Sequence, residues 1–339
     1  MSNTTTTDQL RNALRSLTGI DDLDWATPPT PLHGGFWAEM YAVELADPPA
    51  SLAGRLVARI MPDPDTAAFE TAIQRHVHRS GLPVPAIRAA SGPTSDLDRA
   101  WTLMDHSPGQ PMLSGLTAIS AVRRVPALYR QLPDLLAEAA ATIHRCPIDG
   151  PDLADHHGRA DINPFLVRIA DQADAIGRHD LAGTARSLAD RAPVERVICH
   201  GDLHPFNLLV ASDQWTILDW STAIIADPHY DLGFTTLILS NPPLGGSAPV
   251  RAIARTVGNR LAQRFLRTYS HLSGTPVDPD RLVWGRTVHA LRALVEVATW
   301  EAHHELEQHA GHPWLQMRQT LDEIVGTPDI FLRPRPMAT

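Results

Sequence analysis

The chain has 339 residues, 43% of them hydrophobic and 20% charged, with a net charge of -9. Such a chain can bury a large core, and its acidic balance excludes a general nucleic-acid binder. Two cysteines exclude a disulfide framework, and no apolar run reaches the about 18 residues that a membrane span needs. In chain order, Met1 to Leu10 is polar and Thr-rich, which predicts no signal peptide, and residues 1–7 are expected to be disordered. The expected compartment is a reducing cytoplasm, with no membrane or nucleic-acid partner and the oligomeric state left open.

A short helix is predicted over Asp8 to Leu17, with Leu10, Leu14 and Leu17 on one face. Leu32 to Leu45 reads as two strands around a Gly34-Gly35 turn. Arg55 to Ile60 is a third strand, ended by Pro62 and Pro64. Thr66 to Ser80 reads as a helix, with Thr66 as N-cap, Phe69, Ile73 and Val77 on its buried side, and Gly81 as terminator. Trp101 to Asp105 is a further strand, and the Pro and Gly residues of 108–111 mark a linker.

Beyond the linker the pattern turns helical. Ala127 to Arg145 is one helix and residues 163–192 hold two more. Arg196 to Cys199 is a short strand, and Leu208 to Ala211 with Trp215 to Leu218 form a hairpin. From Tyr230 onward the chain is helical again, broken at 241–246 and at Gly274-Thr275-Pro276. A strand-rich front third joined to a helical remainder is an α+β chain, not a doubly wound alternation. The expected parts are a tail and helix over 1–24, a strand-rich lobe over 25–105 and a helical lobe over 106–339.

The chemistry concentrates in Val197 to Val210 and in Trp215-Thr-Ile-Leu-Asp-Trp220. Apolar strand segments enclose a loop that holds His200, Asp202 and Asn207, and another such segment ends at Asp219. Buried strands do not carry polar groups at their ends without partners. Phosphoryl transfer needs a carboxylate near the attacking hydroxyl and oxygen ligands for Mg²⁺ on the nucleotide phosphates. A zinc site is not expected, because His200 and His204 lack a third ligand at matching spacing.

This H-x-D-x-x-x-x-N run, followed by an aspartate at a hairpin end, resembles the catalytic loop of the aminoglycoside phosphotransferase and choline kinase family. The resemblance implies a bilobal kinase-like fold with a small strand-rich lobe and a larger helical lobe. It implies Asp202 as catalytic base, Asn207 and Asp219 as Mg²⁺ ligands, and ATP or GTP as co-substrate. Gly34 and Gly35 would cover the phosphates, and the Met104–Asp105 strand would hold the nucleobase. Asp227-Pro-His-Tyr-Asp-Leu-Gly233 resembles the family's following segment, so Asp227 and Asp231 would brace the loop from backbone hydrogen bonds. His200 would be structural, and His204 would approach the phosphate or the acceptor.

Kinases clamp the phosphates with a strand lysine paired to a glutamate. This chain has none: all 29 cationic residues are arginine. Arg59, eleven residues before Glu70, is the expected substitute, with Arg55 and Glu39 as neighbouring alternatives; a guanidinium grips a carboxylate bidentately. Gly201 stands where protein kinases carry the arginine of H-R-D, and only Trp220 to Ala226 separates Asp219 from the next recognisable segment. Both departures fit an ungated kinase for small molecules rather than a protein kinase. The acceptor would lie against the late helices, where Glu301 and Glu305 could meet a cationic amino sugar. Trp284, Trp300 and Trp314 could instead line an apolar pocket for a macrolide-like alcohol. A catalytically idle nucleotide-binding protein of the same fold is the alternative reading.

Overall fold

The computed structural model describes residues 3–32, 38–94, 96–111, 118–156, 161–211, 214–242 and 248–326, without the side chains of 3–5, 118–128, 155 and 248–251. Gly34 and Gly35 lie outside the described residues. The chain begins with α1 (Asn3–Thr18), β1 (Asp24–Trp25), β2 (Thr30–Leu32), β3 (Glu39–Ala46), β4 (Arg55–Met61), α2 (Pro64–Arg79), β5 (Ile87–Ser91) and β6 (Ala100–Asp105). It continues with β7 (Gln110–Pro111), α3 (Ala118–Ile143), α4 (Ile162–Ala175), α5 (His179–Asp190), β8 (Val197–Cys199), β9 (Leu208–Ala211), β10 (Gln214–Ile217) and β11 (Ile224–Ala226). Four helices follow: α6 (His229–Ser240), α7 (Ala248–Ser273), α8 (Pro279–Ala302) and α9 (Pro313–Gly326).

Two compact units result. The first is Met1–Gln110 with Gly150–Ala154 and Leu209–Ser221; the second is Pro111–Asp149 with Asp155–Leu208 and Thr222–Thr339. The β9–β10 hairpin therefore belongs with the strand-rich unit although it lies late in the chain. Strands of the first unit's sheet run in the order β1-β3-β4-β6-β5, with β2 beside β3. Pairing is antiparallel and places Arg59 between Met40 and Thr102. Leu56, Ala58 and Ile60 alternate along β4 and are fully buried, the period-2 pattern of a strand packed on one face. α2 starts at Asp63, whose carboxylate accepts the Asp65 N–H at 3.1 Å, with Pro64 at the first helical position. Thr66 is therefore inside the first turn and is not the cap; its hydroxyl donates to Asp63.

The start of the chain differs from the expected disorder. α1 begins at Asn3, and Thr6 and Thr7 are buried. Leu10 and Leu14 join the core formed with Tyr41, Leu56 and Trp101, so this helix is part of the first unit and not a separate tail. Leu17 is instead 51% exposed, because the helix is in its last turn there.

The second unit is helical and carries a two-stranded ribbon, β8 paired antiparallel with β11. α6 is its central rod and is almost entirely buried, from His229 to Leu237 without a break. A Cβ on Gly285 of α8 would overlap the His229 carbonyl oxygen, so these two helices touch backbone to backbone. Around them pack Ile162, Leu166, Leu181, Phe234, Leu291 and Trp300. Among the described residues no helix is long and apolar enough to cross a membrane.

Candidate active site

The first unit assembles three of the predicted residues. Arg59 lies on the central strand β4 and is 8% exposed. Its Nη1 stands 2.9 Å from Glu70 Oε1, and its Nη2 donates to Asp219 Oδ1 at 3.1 Å. Glu70 comes from the buried face of α2, which Gln74 ties to the segment leading into β5 through a 2.8 Å hydrogen bond to the Pro85 carbonyl. Asp219 follows β10 in the left-handed region at φ 63°, which an aspartate tolerates better than a branched residue. The Ser221 hydroxyl donates to its Oδ1 at 2.8 Å. Burial pushes the Glu70 carboxyl up to about 7, against the Arg59 guanidinium that pulls it down. Of the neighbouring alternatives, Arg55 is exposed at the start of its strand and Glu39 pairs with Arg99.

Met104 is buried, and the Asp105 carboxylate binds Arg88 through two hydrogen bonds of 2.6 and 2.8 Å. The Asp105 N–H donates to Ala86 O and that of His106 to Arg55 O. Both amides are committed to the sheet, so they are not available to a nucleobase.

The second unit builds the loop. Strand β8 ends at Cys199, and the next two backbone N–H groups converge on one carboxylate. Asp231 Oδ2 accepts from His200 N at 2.8 Å and Oδ1 from Gly201 N at 2.7 Å. Gly201 has φ 76°, and a Cβ there would overlap the Thr222 carbonyl oxygen, so the position requires glycine. One turn further along α6, Thr235 donates to the Leu203 carbonyl at 2.8 Å. Asp231 is fully buried. Burial would lift its carboxyl, but the His144 hydrogen bond and the surrounding donors outweigh it and hold it below the ordinary range.

Asp202 follows this anchor, with a 26% exposed side chain. Its N–H donates to His200 Nδ1 at 3.3 Å. The Asn207 amide nitrogen donates to both Asp202 O and Asp202 Oδ2, each at 3.0 Å. His204 Nδ1 accepts the Phe206 and Asn207 N–H groups at 3.2 and 3.3 Å, so the ring proton sits on Nε2, 3.5 Å from Asp202 Oδ2. A carboxylate oriented from two sides and open to solvent is what a proton acceptor requires. The Asn207 nitrogen is spent on Asp202, which makes its amide oxygen the natural cation ligand.

Asp227 does not brace the loop as expected. Its carboxylate accepts from His229 N at 2.9 Å, meets His229 Nδ1 at 2.6 Å and pairs with Arg281 at 3.0 Å. It therefore fastens the start of α6 to α8.

The expected acceptor groups are also arranged differently. α8 ends at Ala302, so Glu301 and Glu305 do not share a helical face. Glu301 is held by both Nη atoms of Arg318 from α9. Trp300 is 3% exposed and stacks on His309, with centroids 4.1 Å apart. Trp284 and Trp314 are buried in the same core, the first donating its indole N–H to Leu188 O at 3.1 Å. Instead Phe234 of α6 is the hub of an aromatic group: His204 lies 6.2 Å away, His289 4.9 Å and the Arg292 guanidinium 5.8 Å. Beside it stands Glu296, whose carboxyl is raised by burial against the Arg292 charge and an indole hydrogen bond from Trp314. α6 has no amphipathic period, so no pattern marked Phe234.

The phosphotransferase enzyme family model matches residues 29–277. The chain belongs to this family. Its reaction class is phosphoryl transfer to a hydroxyl, and its α+β kinase-like fold is the one expected. An aminoglycoside 3'-phosphotransferase from Streptomyces fradiae is 27% identical over 241 residues, 64% of this phosphotransferase and 84% of the relative. A solved aminoglycoside phosphotransferase APH(4)-Ia, in complex with ADP and hygromycin B, has a TM-score of 0.60 at 17% identity, covering 94% of this chain and 98% of that one. The macrolide 2'-phosphotransferase of Brachybacterium faecium has a TM-score of 0.53 at 16% identity, covering 94% and 99%.

Proposed function

We propose that this phosphotransferase moves the γ-phosphoryl group of ATP or GTP to a hydroxyl of a small acceptor in the cytoplasm, with Asp202 as base. The observation that carries this reading is the loop: a solvent-reached carboxylate, oriented by Asn207 and His204, whose preceding residues His200 and Gly201 are fixed through their N–H groups to buried Asp231. Asp202 would take the hydroxyl proton as the new O–P bond forms and the bond from phosphorus to the bridging oxygen breaks, leaving the nucleoside diphosphate. Asn207 and Asp219 would hold Mg²⁺: an amide oxygen and a carboxylate form the hard-oxygen set that this ion prefers. Bound there, the ion would neutralise phosphate charge. Arg59 would clamp the phosphates, with Glu70 fixing its guanidinium. Its buried, paired position supplies the cation that the missing lysine leaves wanting and supports the active reading over an idle nucleotide-binding protein.

For the acceptor, the paired Glu301 and the buried indoles favour neither of the arrangements read from the sequence. Phe206, 55% exposed and next to Asn207, offers a ring for an apolar face, while Glu296 supplies a half-buried carboxylate within electrostatic reach of Asp202. The relatives' names support aminoglycosides and macrolides as first acceptors; choline-like alcohols and sugars complete the panel, each tested with ATP and GTP. Acceptor-dependent nucleotide consumption with a phosphorylated product is the expected result. No consumption with any acceptor, alongside Mg²⁺-dependent nucleotide binding, would favour the idle protein.

A further inference from the structure

Behind Asp231 lies a second layer of side chains that the reaction scheme does not use. His144, next after α3, places Nε2 3.2 Å from Asp231 Oδ2 and Nδ1 2.8 Å from the hydroxyl of Tyr269 on α7. With Asp231 ionised, one tautomer satisfies both contacts: Nε2–H donates to the carboxylate and Nδ1 accepts the Tyr269 O–H. The His144 side chain is 5% exposed, and the two rings meet edge-on with centroids 5.5 Å apart. Together they form part of the wall of a cavity of about 170 Å³ that Glu195, His229 and Pro276 also line.

Three donors thus meet on one buried carboxylate: two are backbone groups of the loop, and the third is His144. We propose that His144, oriented by Tyr269, is a positioning residue for phosphoryl transfer, fixing the Asp231 carboxylate that holds the peptide leading into Asp202. The proposal rests on Asp202 being the base. Without the third donor only the two backbone N–H groups hold the carboxylate, its plane is fixed less tightly, and the loop cannot absorb a turn. Gly201 already touches the Thr222 carbonyl, and Thr222 Oγ1 donates to His200 O at 3.1 Å. A turn at Asp231 is therefore passed on to Asp202, and a displacement of about 1 Å at a reacting group can cost on the order of 100-fold in rate.

A cation held by His144, Cys199 and Asp231 fits the observations less well, although their ligand atoms all lie within 4.8 Å of one another. The Cys199 thiol is fully buried, pushed well above its ordinary range, and lies 3.5 Å from the Asp227 carbonyl. The His144 proton already belongs to Asp231.

The test is Mg²⁺-dependent hydrolysis of ATP and of GTP without an acceptor, in which water takes the place of the hydroxyl. His144→Ala should lower kcat about tenfold, with the nucleotide KM within about twofold of wild type. His144→Gln restores a donor to Asp231 and should recover most of that loss. Tyr269→Phe should cost about threefold, since it frees the ring without removing it. Added imidazole should raise kcat of His144→Ala by entering the enlarged cavity. Leu188→Ala, a core variant on α5 with no hydrogen bond from its side chain, controls for stability and should lower Tm without lowering kcat. A His144→Ala kcat within twofold of wild type overturns the proposal, as does a loss equal to that of Leu188→Ala at the same Tm. Should His144→Ala not fold, Tyr269→Phe decides: a kcat about threefold below wild type supports the proposal, and a kcat equal to wild type overturns it. Asp202→Ala separates the two claims. If it turns over like wild type, the functional reading falls and takes the proposal with it. If it is inactive while His144→Ala is unimpaired, only the proposal fails.

Discussion

The two units fix their polar groups in opposite ways. In the strand-rich unit, Arg59 is held by charge, between Glu70 and Asp219, on rigid strand and helix positions. In the helical unit the loop before Asp202 is held by backbone amides on a single carboxylate, Asp231. The first arrangement has redundancy, because the guanidinium keeps one partner when the other is lost. The second concentrates its contacts: two amides and a histidine share one anion. Loss of Asp231 should therefore damage the fold and the chemistry together, whereas changes around Arg59 should separate them.

The largest effect is expected at Asp231. Asp231→Asn replaces an ionised acceptor of three hydrogen bonds with an amide that carries its own buried donors, and should cost about 3 kcal/mol in denaturant unfolding. A loss under about 1 kcal/mol would show that the loop holds itself. Next comes Arg59→Met, which keeps the length of the side chain and removes its charge. It should weaken nucleotide binding by calorimetry at least about tenfold, while leaving Glu70 and Asp219 as buried or half-buried acids without their cation. Arg59→Lys should retain much of that binding; equal binding by the Met variant would remove Arg59 from the phosphate site.

The smallest effect concerns pH. The Glu70 carboxyl is raised from 4.5 to about 7 by burial, so the folded chain binds this proton more tightly than the unfolded one. Its contribution to stability is complete below about pH 4.5 and is lost as pH rises through about 7. Glu70→Gln should flatten that part of the stability profile in denaturant titrations between these limits. An unchanged slope would mean that the Arg59 charge dominates burial and keeps Glu70 ionised throughout.

Much of this was legible from local pattern. The alternation in β4, the buried face of α2 and the polar loop between β8 and β9 are short-range signals. The Arg59–Glu70 contact follows from the family resemblance, which calls for a strand cation paired with a glutamate, and from the absence of lysine; the geometry brings the two together. What was illegible depends on contacts distant in the chain. Polar Thr6 and Thr7 give no helix signal of their own, yet packing on the sheet orders α1. Glu301 reads as a free acid until Arg318, seventeen residues later on the next helix, folds back on it. The indoles of Trp284, Trp300 and Trp314 look like pocket walls in sequence and are core in the fold, since nothing local tells a buried aromatic from a ligand-facing one. Phe234 and His144 escaped notice for the same reason: α6 is buried on every side, and His144 is defined only by what it meets on α6 and α7.

The central claim is that Asp202 takes the acceptor proton while the nucleotide is held elsewhere. The measurement that addresses it most directly pairs steady-state phosphoryl transfer with calorimetric nucleotide binding in Asp202→Ala. The account predicts turnover lowered by about 10²- to 10⁴-fold, with Mg²⁺-dependent nucleotide affinity within about twofold of wild type. Turnover retained to within about tenfold, or nucleotide binding lost along with activity, would contradict it.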